Sequence, residues 1–142
     1  MWPAIWTTGL GKWPHAGEID IMEFYKGSIL ANTVHAGKGG KDLWNATRHP
    51  LSKFGADTWN ERFHLWVMEW SEKEIAIYLD GKLLNRVDLS KTVNLDGPKI
   101  NPFQEPQQLR LNLAIGAAGG DPSKTPFPQR YEVDYFRIYQ KK

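Results

Sequence analysis

Three carboxylates fall within six residues in the segment Gly17-Glu18-Ile19-Asp20-Ile21-Met22-Glu23-Phe24, interleaved with Ile, Ile and Met. Alternating acidic and apolar side chains read as a β-strand with one face in a core and the other presenting acids. In a regular strand Glu18 and Asp20 share a face while Glu23 points to the opposite one. One extra residue at Ile21 or Met22, a β-bulge, would shift the alternation so that all three acids project together, leaving Ile19 and Ile21 or Met22 to anchor the core side. Like charges crowded in a partly desolvated cleft repel, so at least one of the three is expected to hold its proton at neutral pH. A protonated carboxyl beside an ionised one is what glycosidic bond hydrolysis needs. In the retaining form of that reaction one carboxylate is the nucleophile and the other is acid and then base, roughly 5–5.5 Å away. Asp20, between the glutamates, has the place of a residue that hydrogen-bonds the nucleophile and tunes it. The triplet by itself leaves other readings open. One is a solvated strand face. Another is calcium ligation, which fits poorly because hard-cation loops draw on turn residues rather than a β-branched strand.

The elements that would position these acids also read as strands. Apolar residues alternate with a period of two through much of the chain, and no segment shows helical periodicity beyond two turns, so the fold class is all-β. Residues 109–115 set Leu109, Leu111, Leu113 and Ile115 on a core face against Arg110, Asn112 and Ala114 on a polar one. Residues 63–70 place Phe63, Leu65 and Val67 opposite His64, Trp66, Met68 and Trp70, with both faces covered or used. Asp80-Gly81 between apolar alternations predicts a two-residue hairpin. Residues 133–139 predict a further strand. The Gly- and Pro-rich stretches 36–57 and 116–128 read as long loops, which in a compact domain are usually functional. No repeat, linker or low-complexity tract divides the 142 residues, so residues 1–142 are one domain.

Composition narrows the function classes. With no cysteine there is no disulfide, thiolate metal site or Cys nucleophile. Eighteen basic against sixteen acidic side chains, scattered along the chain, argue against nucleic acid as a partner. No apolar run is long enough for a membrane span, and the N-terminus lacks the pattern of a signal peptide. Seven tryptophans are the unusual feature, because a flat indole face serves in a core or under a sugar ring.

Trp2-Pro3-Ala4-Ile5-Trp6, Lys12-Trp13-Pro14 and Gly17-Glu18-Ile19-Asp20-Ile21-Met22-Glu23 resemble, in order and spacing, glycoside hydrolase family 16, and within it the laminarinase-type endo-β-1,3-glucanases. The segments Phe63-His64-Leu65-Trp66-Val67-Met68-Glu69-Trp70, Ile77-Tyr78-Leu79-Asp80-Gly81, Leu111-Asn112-Leu113-Ala114-Ile115-Gly116 and Val133-Asp134-Tyr135-Phe136-Arg137 agree. The resemblance implies a jelly-roll, concanavalin-like β-sandwich with a concave glycan cleft. It implies Glu18 as nucleophile, Glu23 as acid/base and Asp20 as assisting aspartate, in the bulged form of the motif that contains Met22. It also implies substrate contacts from Trp2, Trp6, Trp13, His35, Trp70 and Asn112, with Gln129 a weaker candidate. No organic cofactor is implied, and no metal ligands are assigned. A structural calcium is common in the family, and Asp134 would be its contributor here.

The resemblance also shows departures. Sandwiches of this kind run to about 200–250 residues, so the chain reads as the C-terminal portion of a family 16 catalytic sandwich, incomplete by its N-terminal strands. Exposed ladder groups and apolar faces would then invite pairing with another chain, and a homo-oligomer completing the missing strands is expected. Residues 116–121 lack the loop tryptophan of many laminarinases, and the basic stretch 38–57 reads first as a solvated loop and otherwise as a contact to an anionic algal polysaccharide. The leading expectation is an endo-acting retaining hydrolase of a β-linked polysaccharide, foremost β-1,3-glucan. The alternatives are a hydrolase of algal galactans or a non-catalytic glycan-binding fragment. An extracellular or periplasmic location follows from the resemblance alone.

Overall fold

The computed structural model describes residues 1–55 and 58–140. Among the described residues nine antiparallel strands form two sheets: β1 (Trp2–Gly9), β2 (Glu18–Tyr25), β3 (Ser28–Ala36), β4 (Asp42–Asn45), β5 (Arg48–Pro50), β6 (Trp66–Trp70), β7 (Glu74–Leu79), β8 (Lys82–Asp88) and β9 (Gln107–Ala114). The larger sheet runs β4-β3-β2-β1-β9, with β5 also paired to β3, and the smaller runs β6-β7-β8. The fold is thus all-β and built from two sheets, in keeping with a jelly-roll sandwich. No helix of the described residues is long and apolar enough to cross a membrane.

The core lies between the sheets and follows from their alternation. Ile19 and Ile21 of β2 and Ile29 and Ala31 of β3 face Ile75, Ile77 and Leu79 of β7 and Leu84 and Val87 of β8. Phe103, wholly buried in a short 3-10 turn after β8, plugs one end, and Trp59 packs at the cluster's margin. Trp59 is held by a stacked His64 at 3.8 Å, whose ring nitrogens meet the Trp59 carbonyl and the Asp80 carboxylate, each at 2.7 Å. The Asp80-Gly81 hairpin is present, both residues at positive φ (49° and 78°) with Leu79 paired to Lys82, as a two-residue turn matched to strand twist requires.

Several sequence expectations are corrected. The 36–57 stretch is not a free loop: β4 and β5 form within it and both pair with β3, so it widens the larger sheet. Of that stretch, residues 56 and 57 lie outside the described residues. Residues 133–139 form no strand. No described strand lies alongside to complete a ladder, and Ile138 and Tyr139 are more than 80% exposed. In residues 63–70 the strand begins only at Trp66. The face bearing Phe63, Leu65 and Val67 is exposed, and the opposite face turns inward.

The Leu face of β9 is likewise no core face. The smaller sheet covers β2 and β3, through β6 and β8, and leaves the end of the larger sheet bare. Leu109, Leu111 and Ile115 are therefore exposed, on an end strand whose outer ladder is unpaired. A contiguous apolar face on an unpaired edge favours association with a second copy. Sedimentation velocity at micromolar concentration is expected to show a dimer or larger species, reduced to monomer by Leu111→Lys. A monomer from the unaltered chain would refute this.

Candidate active site

The site is created by an irregularity in β2. Against β3, Asp20 pairs with Asn32 and Glu23 with Leu30, so three residues of β2 span what two span in β3. Against β1, Met22 pairs with Ile5 and Asp20 with Trp6, which puts the extra residue at Ile21. Ile21 and Met22 are both buried, and Glu18, Asp20 and Glu23 emerge on the opposite face. The start of β2 is fixed by Gly17, at φ +72°, where an added Cβ would lie 2.8 Å from Cβ of Pro102. Only glycine combines that backbone with that approach.

The same register places the other candidates. On β1, Trp2 and Trp6 share the acids' face, Trp6 directly across from Asp20. Trp6 Nε1 donates to Oδ1 of Asn112 at 2.6 Å. Trp13 hangs from the β1–β2 connection, which is closed by Ala16 N donating to Lys12 O (3.0 Å) and Gly17 N donating to Pro14 O (3.0 Å). Its Nε1 donates to Oε2 of Glu18 at 3.0 Å, and Trp2 Nε1 donates to Oε1 of Glu23 at 2.9 Å. Trp2, Trp6, Trp13 and Asn112 are thus gathered with the three acids.

His35 and Trp70 are not gathered there. In β3 it is Asn32 and Val34 that stand opposite Asp20 and Glu18, so His35 turns into the interior. It lies edge-on to Phe103 with both ring nitrogens unpartnered, and burial holds it below the usual imidazole range. Trp70 does share a face with Trp66 and Met68, but that face belongs to the other sheet, where Trp66 and Met68 pack on the core and Trp70 is 41% exposed. Its Nε1 donates to the Phe103 carbonyl at 2.9 Å. Gln129 sits in the exposed C-terminal segment, donating to Pro126 O at 2.6 Å. Asp134 belongs to no group of three His, Cys, Asp or Glu side chains able to hold a metal. Among the described residues there is no such group.

Three residues of the acids' face escaped the sequence reading as site members. Buried Asn32 points its Nδ2 at Oε2 of Glu23, 3.5 Å away, while its Oδ1 accepts from Thr47 N at 3.0 Å. Trp44 of β4 pairs with Val34 and so stands exposed on the same face, its Nε1 donating to Asp42 Oδ2 at 2.6 Å. Arg110 of β9 lies over the Trp6 ring, 5.2 Å from its centroid, and its charge favours ionised Glu18. Parity within β3 could have paired Asn32 with Val34. Which of its faces meets the acids is decided only by register.

Electrostatics divides the acids into unequal members. Asp20 is 1% exposed, and burial, followed by the charges of Glu23 and Glu18, pushes it up to about 9. At neutral pH it is therefore a neutral acid between two glutamates, able to donate to either. Burial also raises Glu23, to about 7, opposed by the Trp2 indole and by Asp20. Glu18 is raised by burial and pulled back by hydrogen bonds from Asp20 and Trp13 and by Arg110. Glu23 is thus poised to give and take a proton near neutrality, and Glu18 has three partners that favour its anion.

The fold is thus an antiparallel two-sheet architecture with three carboxylates on one face of its larger sheet. Residues 1–137 match the sequence pattern of glycosyl hydrolases family 16, and the chain belongs to that family. It is 33% identical to a β-glucanase of Rhodothermus marinus, aligning over 98% of this chain and 52% of the relative. It is 32% identical to a keratan-sulfate endo-1,4-β-galactosidase of Sphingobacterium multivorum, over 98% of this chain and 33% of the relative. Among solved structures, the laminarinase catalytic domain of Thermotoga maritima superposes with a TM-score of 0.67 at 31% identity, over 89% of this chain and 52% of that one. The chain therefore spans about half the length of such relatives or less.

Two predictions follow from this geometry. Asp20 binds its proton more tightly folded than unfolded, so its penalty is absent below its ordinary 3.8 and grows as pH rises towards about 9. Chemical denaturation across pH 5–9 is expected to show stability falling with pH, by at most about 1.4 kcal/mol per unit from this group. Asp20→Asn should flatten that slope and gain stability relative to the parent as pH rises. Gly17→Ala, by contrast, should cost about 1–3 kcal/mol at every pH in the same assay, through strain at positive φ and collision with Pro102.

Proposed function

We propose that this chain carries the catalytic cleft of an endo-acting, retaining glycoside hydrolase of a β-linked polysaccharide, foremost a β-1,3-glucan. The observation that carries the reading is the bulge that gathers Glu18, Asp20 and Glu23 on one face with the middle acid neutral. Glu18 attacks the anomeric carbon as the bond to the leaving oxygen breaks, and the Glu23 proton passes to that oxygen. Asp20 and Trp13 hold the nucleophile by hydrogen bonds during approach. Water then attacks the anomeric carbon, its proton goes to Glu23, and Glu18 departs as a carboxylate. Similarity to a β-glucanase and to a laminarinase catalytic domain supports β-1,3-glucan as the substrate. A secreted or periplasmic location belongs to the same reading.

One observation favours a second substrate class. Arg110 projects from the acids' face and forms no ion pair with a described residue, so a galactan bearing acidic groups would meet a cation beside Glu18. The resemblance to an enzyme named for keratan sulfate points the same way. Product release from laminarin, lichenan, agarose, carrageenan and keratan sulfate by the 142-residue chain separates these readings. Glu18→Ser is expected to lower turnover by at least about 10³-fold, and proton NMR of the first product should show the substrate's own β-configuration. Inversion, or equal rates from the Glu18→Ser variant, would refute the mechanism.

A further inference from the structure

Trp2 was expected to contact sugar, and its indole also has two protein contacts of its own. One side packs on Tyr25, with ring centroids 4.6 Å apart, and the N–H is directed at Oε1 of Glu23, 2.9 Å away. An indole nitrogen only donates, so the oxygen it holds cannot at the same time carry the carboxyl proton towards it. The donor directed at Oε2, Asn32 Nδ2, stands at the longer distance of 3.5 Å, so Oε2 is the oxygen better placed to carry the proton of neutral Glu23. We propose that Trp2 is a positioning residue for the acid/base, selecting Oε2 of Glu23 as the oxygen that delivers the proton and favouring the carboxylate that must form when it has gone.

The surroundings leave this task to Trp2. Facing Glu23 are Glu18 and Asp20 from its own strand, Ala4 and Trp2 from β1, and Leu30 and Asn32 from β3. Neither strand beside it supplies a cation. Arg110 of β9 acts on Glu18 instead, while Arg48 of β5 is held by the Ser28 hydroxyl and the Lys26 carbonyl. Burial and the Glu18 charge would hold the proton on Glu23 too tightly for release, and hydrogen bonds from Trp2 and Asp20 oppose them. Asp20 reaches Glu18 as well, whereas the Trp2 indole is committed to Glu23. In the first step the proton on Oε2 passes to the glycosidic oxygen, and in the second Oε2 takes a proton from the attacking water, with the indole unchanged throughout.

The inference rests on the hydrolase reading for its meaning in catalysis, but its test does not need activity. In the unaltered protein the Trp2 indole N–H resonance is expected to titrate with the Glu23 side-chain carboxyl carbon, sharing one midpoint. Trp2→Phe keeps an aromatic ring on Tyr25 and removes the donor, and the Glu23 midpoint should rise by about one pH unit. An indole signal indifferent to Glu23 ionisation, or an unmoved midpoint in a folded Trp2→Phe variant, would overturn the proposal. Where the chain is active, the same variant should move the alkaline limb of kcat upward and lower kcat at neutral pH with KM nearly unchanged. A rise in KM alone would assign Trp2 to sugar stacking. Failure to cleave any glycan, with the paired titration intact, would refute the hydrolase reading and leave the Trp2–Glu23 coupling standing.

Discussion

Three carboxylates on one face of one strand are tolerable only because they do not ionise together. The bulge at Ile21 concentrates them, and burial removes the water that would otherwise screen them. The middle acid meets the conflict by remaining neutral, with a single proton that can serve one glutamate or the other in place of a third negative charge. Nearby donors then act on a system already divided. The Trp13 indole and Arg110 favour charge on Glu18, while burial keeps Glu23 close to the pH at which it must exchange protons.

The rest of the fold can be read as support for that arrangement. Ile19, Ile21 and Met22 anchor the back of the bulged strand in the core, so the acids cannot relax by rotating the strand. Phe103 and Pro102 lie beneath Gly17 and set where β2 begins. The loop that hangs Trp13 over Glu18 is tied down in turn by Asn94, whose Nδ2 donates to His15 O at 2.9 Å, and by a His15–Asp96 contact at 3.3 Å.

Sequence alternation showed what a single strand decides and missed what pairing decides. The Glu-x-Asp-x-x-Glu segment, the bulge near Ile21 and the Asp80-Gly81 turn are local, and the structure has them where the residues indicate. Trp70 and Trp66 do lie on one side of their strand, but only the pairing shows that this strand belongs to the smaller sheet, away from the acids. His35 failed for the same reason: its parity was legible, while its register against β2, with Val34 opposite Glu18, was not. The Leu face of β9 and residues 133–139 have the pattern of buried strands without the covering layer or ladder partner that burial needs. Arg110, Asn32 and Trp44 became site residues through strand neighbours far away in the chain.

The two short strands that replaced an expected loop change the scale of the cleft. With β4 joined to β3, the row through Glu18 continues across the sheet from Gln108 on β9 through Thr8, Glu18 and Val34 to Trp44. Four strand spacings of about 4.8 Å make that floor roughly 19 Å wide, the length of several sugar rings end to end. The acids stand near its middle rather than at either margin. The larger sheet thus extends two strands to either side of β2, so the acids have protein flanking them in both directions crosswise to the strands.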